Sequence, residues 1–184
     1  TCESVQVTVN PLPVAPTSAS VDTINFCADH SGNIELSVSG GSGDTVKWYT
    51  GSCGGTYAGY GNPMTIASPT ATTTYYARWK NGCGNSTCES VLVTVNPLPV
   101  APTGASVDTN NFCADHSGNI ELSVTGGSGD TLKWYTGSCG GTYAGYGNPM
   151  TIASPTATTT YYARWKNGCG NSTCQSVQVT VNPL

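Results

Sequence analysis

The segment TCESVQVTVNPLPVAPT opens the chain, TCESVLVTVNPLPVAPT returns at residue 87, and TCQSVQVTVNPL begins again at residue 173. A chain that repeats itself every 86 residues must give each period the same fold, so one period carries the whole problem. Residues 1–86 and 87–172 differ only at Gln6/Leu92, Ser18/Gly104, Ile24/Asn110, Ser39/Thr125 and Val46/Leu132. Two periods and the first twelve residues of a third make up the 184 residues, which is the pattern of a window cut from a longer array. The period exceeds that of short solenoid repeats and suits autonomous domains strung in series.

Boundaries follow from the Pro-rich stretches NPLPVAPT at 10–17 and 96–103, which lack donors for a central strand and favour stiff, extended backbone. Cuts there give a strand-like fragment, 1–12, and two domains, 13–98 and 99–184. Residues 1–12 read as the final strand of a truncated preceding repeat. They are expected to be unstructured, or to pair with a neighbouring subunit as an added strand, because a lone strand is not stable.

Within a period the apolar residues alternate with a spacing of two. Ile34, Leu36 and Val38 flank Glu35 and Ser37; Val46 and Trp48 flank Lys47; Tyr75, Ala77 and Trp79 alternate with Tyr76, Arg78 and Lys80; Val91, Val93 and Val95 alternate with Leu92 and Thr94. SGGSGD at 39–44, GSCGG at 51–55, YGNP at 60–63, SPTA at 68–71 and NGCGNS at 81–86 supply turns between these runs. The pattern predicts an all-β sandwich with strands near 14–27, 33–39, 45–50, 56–60, 64–67, 73–80 and 88–96. No window of ten or more residues reads as an amphipathic helix.

Charge narrows the function. Six Lys+Arg against ten Asp+Glu give a net charge of −4, so no basic face is available for a nucleic-acid backbone. The apolar runs are far shorter than the roughly 20 residues a membrane-spanning helix requires.

The GGSGD turn, the WY pair at 48–49, GG at 54–55, TTTYY at 72–76, the cysteine at 83 and VTV at 93–95 together resemble the immunoglobulin-like repeats of large secreted and cell-surface adhesins of Bacteroidota bacteria. The resemblance covers essentially the whole repeat. It implies tandem immunoglobulin-like β-sandwiches joined by short Pro-rich linkers, secretion, cell-surface display, and adhesion or spacing rather than catalysis. It also implies O-glycans at Asp-(Ser/Thr)-aliphatic triplets, here Thr23, Thr45 and Thr131, with the last two expected in an exposed turn. Cys53 and a second cysteine near the 81–88 turn, with their counterparts in the second repeat, depart from the simple two-cysteine pattern of the family, so that pattern does not settle the pairing.

Each domain owns four cysteines, Cys27, Cys53, Cys83 and Cys88 in the first and Cys113, Cys139, Cys169 and Cys174 in the second, leaving Cys2 over. An even count per domain reads as disulfides and an oxidising, extracellular compartment. In the topology the resemblance implies, position 27 lies at the end of the sandwich that holds the turn carrying Cys53, and the turn at 81–86 lies at the other. That favours Cys27–Cys53 and Cys83–Cys88. Two arrangements stay open: Cys27 with the 81–86 turn, or a bond from the lower end of one domain to that turn of the next.

The remaining chemistry is sparse. His30 and His116 sit in one turn with no nucleophile motif beside them, and the glycine clusters open strands rather than helices, so neither a catalytic constellation nor a phosphate loop is present. No cofactor and no metal site is expected. Asp29, Ser31 and Asn33 alternate as calcium ligands do, yet the rest of a calcium loop is missing and Asx turns use the same residues. Tyr49, Tyr57, Tyr60, Tyr76 and Arg78 could form an outward aromatic surface for glycans or protein, but they fit ordinary cross-strand packing better. The sequence reads as a non-enzymatic extracellular repeat forming a stalk or filament. Its partners are neighbouring repeats, joined head to tail or by strand addition, and surface glycans. The alternative is a carbohydrate-binding module attached to a secreted enzyme.

Overall fold

The computed structural model describes residues 2–184. The chain divides between Asn96 and Pro97 into two compact units. Both are all-β, with no helix among the described residues.

The first unit contains β1 (Ser18–Val21), β2 (Asn25–Cys27), β3 (Asn33–Ser39), β4 (Thr45–Thr50), β5 (Thr56–Tyr60), β6 (Met64–Ala67), β7 (Thr73–Asn81), β8 (Gly84–Asn85) and β9 (Glu89–Asn96). One sheet has the order β1-β3-β6 and the other β2-β9-β7-β4-β5, with β8 completing a hairpin on β7. β2 runs parallel to β9, with Cys27 opposite Asn96, while β7 is antiparallel to both β4 and β9. This is the strand set expected from the alternation. Because β5 pairs with β4 rather than joining the β1-β3-β6 sheet, it is the C′ strand of an immunoglobulin-like sandwich.

The core is what the period of two places inside. Ile34, Leu36 and Val38 point inward from β3, and Val46, Trp48, Ala77 and Val93 meet them from the opposite sheet, with Trp48 wholly buried. Its indole N–H, which would be costly to leave unpaired in the core, donates to the Gly61 carbonyl at 3.0 Å. Asn62 clamps β3 from outside the ladder: its side chain accepts from the Val38 N–H at 2.8 Å and donates to the Val38 carbonyl at 2.9 Å.

Most of each Pro-rich stretch is built into the unit that follows it. Val14 exchanges two backbone hydrogen bonds with Ser42, at 2.8 and 3.1 Å, and Val100 does the same with Ser128. This close approach explains the paired glycines of the β3–β4 turn. A Cβ on Gly41 would lie 2.5 Å from the Ala15 carbonyl oxygen, and its φ of 72° is itself unfavourable for other residues. At the start of the stretch, Asn167 donates to the Pro97 carbonyl at 2.9 Å, within the second unit.

The second unit repeats the plan with β10 (Gly104–Val107), β11 (Phe112–Cys113), β12 (Asn119–Thr125), β13 (Thr131–Thr136), β14 (Thr142–Tyr146), β15 (Met150–Ala153), β16 (Thr159–Asn167), β17 (Gly170–Asn171), β18 (Gln175–Val179) and β19 (Val181–Asn182). The long last strand of the first unit is here divided at Thr180, and one substitution accounts for it. In the first unit the Thr94 N–H donates to the backbone carbonyl of Ile24. Asn110 stands at the equivalent place, and its side chain takes the Thr180 N–H at 2.8 Å instead, while Asn111 adopts φ 67°.

Residues 2–12 form no strand, and Val5, Val7 and Val9 are 79–88% exposed. The last-strand place in each sandwich is already filled, by β9 on β7 and by β18 on β16.

Candidate functional site

Strand alternation that buries Trp48 turns Lys47 and Tyr49 to the opposite face of β4, where register places them beside Arg78 and Tyr76 of β7 and Tyr60 and Tyr57 of β5. The Arg78 guanidinium lies 4.7 Å above the centre of the Tyr49 ring and donates to the Tyr49 hydroxyl at 3.2 Å. Tyr57 meets Tyr49 edge-on at 5.9 Å, and the Lys47 ammonium sits 5.7 Å from the Tyr57 ring. Stacking of this kind contributes about 0.5–2 kcal/mol per cation–ring pair. The second unit repeats it with Lys133, Tyr135, Tyr143 and Arg164. Of the five outward residues expected, Tyr49 is thus sequestered at 8% exposure, whereas Tyr57 and Tyr60 remain open at 53% and 70%. In the second unit a shallow depression of ≈ 360 Å³ adjoins this face, lined in part by Asp130, Tyr146 and Trp165.

The β4–β5 turn covers the guanidinium. A Cβ on Gly54 would lie 3.2 Å from the Arg78 terminal nitrogens, and Arg78 Nε is buried without a hydrogen-bond partner. The turn is fixed there by a disulfide between Cys53 and Cys88, with Cα atoms 5.8 Å apart, and Cys139–Cys174 repeats it. This pairing corrects the expected Cys27–Cys53 and Cys83–Cys88. Cys88 immediately precedes β9, whose Glu89 lies opposite Ala77, so it belongs to the sheet face and not to the tip of the β7–β8 hairpin. Cys27 lies on edge strand β2, with β9 and β7 between it and β4. Three strand spacings are about 14 Å, beyond the reach of a disulfide. Cys83, at the hairpin tip, and Cys113 carry exposed free thiols, as does Cys2. The turn's three glycines hid the pairing from the sequence: they let it curl back over the sheet face, which strand order alone does not report.

His30 is a structural pin. Its ring lies 4.7 Å from that of Phe26, and Nδ1 is 2.9 Å from the Ser68 hydroxyl, fastening two loops together. His116, Phe112 and Ser154 repeat the arrangement. Among the described residues no carboxylate hydrogen bonds either histidine, so the serine–histidine contact lacks the third group that would orient a base. Among the described residues no group of three or more His, Cys, Asp or Glu side chains is placed to hold a metal. Burial raises the Tyr75 and Tyr161 phenols above the ordinary tyrosine value. Thr45 and Thr131 open strands β4 and β13, opposite Lys80 and Lys166, and are half-buried rather than in an exposed turn. Thr23 follows β1, its N–H donating to the Asp22 carboxylate at 2.8 Å. Among the described residues no helix is long and apolar enough to cross a membrane.

Two sandwiches with this strand order and a buried tryptophan on the C strand define tandem immunoglobulin-like domains. The family described as Ig-like domain CHU_C associated matches residues 13–97 and again 99–183, and the chain belongs to that family. Among solved structures, a structure describing Dscam isoform specificity is similar at 15% identity and a TM-score of 0.39, over 94% of this chain and 46% of that one. The N-terminal four Ig domains of Dscam1 isoform 4.44 give 16% and 0.42, over 95% and 47%. A two-domain fibronectin type III segment of chicken tenascin gives 12% and 0.35, over 90% and 98%. The chain spans about half the length of the Dscam chains it matches. No curated protein matches it.

Proposed function

We propose that the chain is part of an extracellular structural or adhesive repeat array, a stalk or filament of a cell-surface adhesin, and that it is not an enzyme. The observation that carries this reading is the repetition of a closed sandwich in which the aromatic face, the disulfide and the histidine pin all recur. Near-identical copies suit a spacer, in which every unit has the same task, better than a catalyst, which needs one site. Membership of the Ig-like family and the disulfides support an extracellular setting. O-linked sugars on Thr23, Thr45 and Thr131 belong to the same reading, and intact-mass measurement on protein from its native host tests them. Electron microscopy of the native molecule tests the whole: a beaded filament is expected, and a compact enzyme with a short tail overturns it.

The exposed pairs Tyr57 and Tyr60, and Tyr143 and Tyr146, favour a second reading, a carbohydrate-binding module. A glycan array decides: saturable binding abolished by Tyr60→Ala together with Tyr146→Ala supports the module, and no binding supports the spacer.

A further inference from the structure

The excess of acid over base in the whole chain hides a segregated charge pattern within each unit. All six cations lie on two adjacent strands of one sheet: Lys47, Arg78 and Lys80 on β4 and β7, and Lys133, Arg164 and Lys166 on β13 and β16. Lys47 is opposite Arg78 and Lys80 is opposite Thr45, so all three have the parity that faces away from the buried Trp48. Lys133, Arg164 and Lys166 repeat this register. Strands β13, β14, β16 and β18 contain no Asp or Glu, and the one carboxylate of the matching sheet in the first unit, Glu89, lies opposite buried Ala77 and off this face. The other sheet of each sandwich carries Glu35 or Glu121 and no cation.

No ion pair joins any of the six cations to a carboxylate among the described residues. Like charges directly opposite one another across a ladder are unfavourable, as Lys47 and Arg78 are, and an external anion would relieve them. Arg78 is covered by the β4–β5 turn, so its charge acts through space, whereas Lys80 is exposed and Lys47 reaches only the Tyr57 ring. The bases of Lys47 and Lys80 are diagonal neighbours, about 7 Å apart, and their flexible stems can converge on one anionic group. On the other side of Lys47, about one strand spacing of 5 Å away, stands the open ring of Tyr60. In the second unit the surface is hollowed at this place. A depression of ≈ 290 Å³ is lined by Asp130, Thr131, Lys133 and Lys166 among others, and it adjoins the one that reaches Tyr146 and Trp165.

We propose that this face binds an acidic saccharide, a glycan containing uronate-type sugars. The apolar face of a sugar ring stacks on Tyr146, its carboxylate is held between the Lys133 and Lys166 ammonium groups, and the Asp130 carboxylate accepts from a sugar hydroxyl. Tyr60, Lys47, Lys80 and Asp44 stand at the same positions in the first unit. Asp130 disfavours a nucleic acid, whose unbroken row of phosphates it repels, and three cations per unit are too few to outweigh the carboxylates elsewhere on the chain. The proposal rests on the carbohydrate-binding reading of the tyrosine face and names its ligand class.

Isothermal titration of the full chain with a galacturonate hexasaccharide, and with the same hexasaccharide methyl-esterified at every carboxylate, tests it. An O-linked sugar on Thr131 would fill the depression, so the chain used carries none, as checked by intact mass. Saturable binding to the acidic form is expected, weakened about tenfold or more by esterification or by changing Lys47, Lys80, Lys133 and Lys166 together to Gln. Arginine at the same four positions should retain binding, with melting temperatures showing that each variant is folded. Glu35→Gln with Glu121→Gln, on the opposite sheet, should leave affinity unchanged; a gain comparable with the lysine loss would show attraction by net charge alone and overturn the site. Equal binding of the ester overturns the acidic class and leaves the carbohydrate reading standing. Absence of binding to the acidic form overturns the proposal, and neutral sugars on the glycan array then decide the carbohydrate reading separately. Equal or tighter binding of an oligothymidylate of matched charge also overturns it.

Discussion

Replacing Cys53 and Cys88 together by serine removes one disulfide from the first unit and leaves its counterpart, Cys139–Cys174, as an internal control. Both bonds close the same sequence separation of 35 residues. Freeing a loop of that length returns about 13 cal/mol/K of entropy to the unfolded chain, or roughly 3.8 kcal/mol at 25 °C. A unit of about 90 residues unfolds with an entropy near 0.19 kcal/mol/K, so the first unit should melt about 20 °C lower. Serine keeps the size of each side chain, and Cys53 is exposed, so little packing is lost with the bond. Scanning calorimetry of the double variant should show two transitions, one displaced and one where the parent unfolds, and the mirror variant Cys139→Ser/Cys174→Ser should reproduce the displacement. A first-unit shift under about 5 °C would show that the β4–β5 turn is held by its packing on Arg78 and that loop closure contributes little.

Gly41→Ala should destabilise the first unit by about 1–3 kcal/mol, read as a lower urea midpoint, because the new methyl meets the Ala15 backbone. Gly51→Ala, also at positive φ but with nothing within 4 Å, should cost about 1 kcal/mol or less. Asn62→Ala strips both partners from Val38 at the rim of the core and should cost about 2 kcal/mol, with faster amide exchange at Val38. Tyr75 and Tyr161 have folded pKa values raised above the unfolded one by burial. Their stabilisation is complete below the unfolded value near 10 and is lost as pH rises through the folded value, so denaturant midpoints should fall above pH 10, and less so in Tyr75→Phe.

The central strands were legible because one face of each is buried, and burial imposes the alternation that Ile34, Leu36, Val38, Val46 and Trp48 display. The sheet assignment of 56–60 was not, since three of its five residues are exposed and none is fully buried. Proline content marked the junctions but said nothing of what those prolines touch: Pro102 is fully buried, and Val100 is bonded to the next turn. On the candidate face the outward residues were readable from parity. The sequestration of Tyr49 depends on a β-bulge between Trp48 and Tyr49 and on a turn folding over Arg78, neither of which alternation encodes. Disulfide pairing failed for the same reason, as it rests on where a glycine-rich turn curls.

The differences between the two repeats show which positions the fold holds fixed. Leu92 and Ile24 are 52% and 62% exposed, and a polar residue replaces each elsewhere in the array, Gln178 and Asn110. Ser18 and Ser39 are opposite one another in register and share a hydrogen bond of 2.8 Å. At the equivalent pair Thr125 is larger and Gly104 smaller, and a Cβ on Gly104 would lie 3.0 Å from the Thr125 hydroxyl, so these two changes act as one compensated change. Only Val46/Leu132 falls in the core, and there the added methylene keeps the side chain 1–2% exposed in both units. Neither the cysteines, the Tyr–Arg face nor the His–Ser pin varies. The disulfide is worth roughly 3.8 kcal/mol by loop closure and each cation–ring pair about 0.5–2 kcal/mol, so the stability of the single sandwich accounts for their retention.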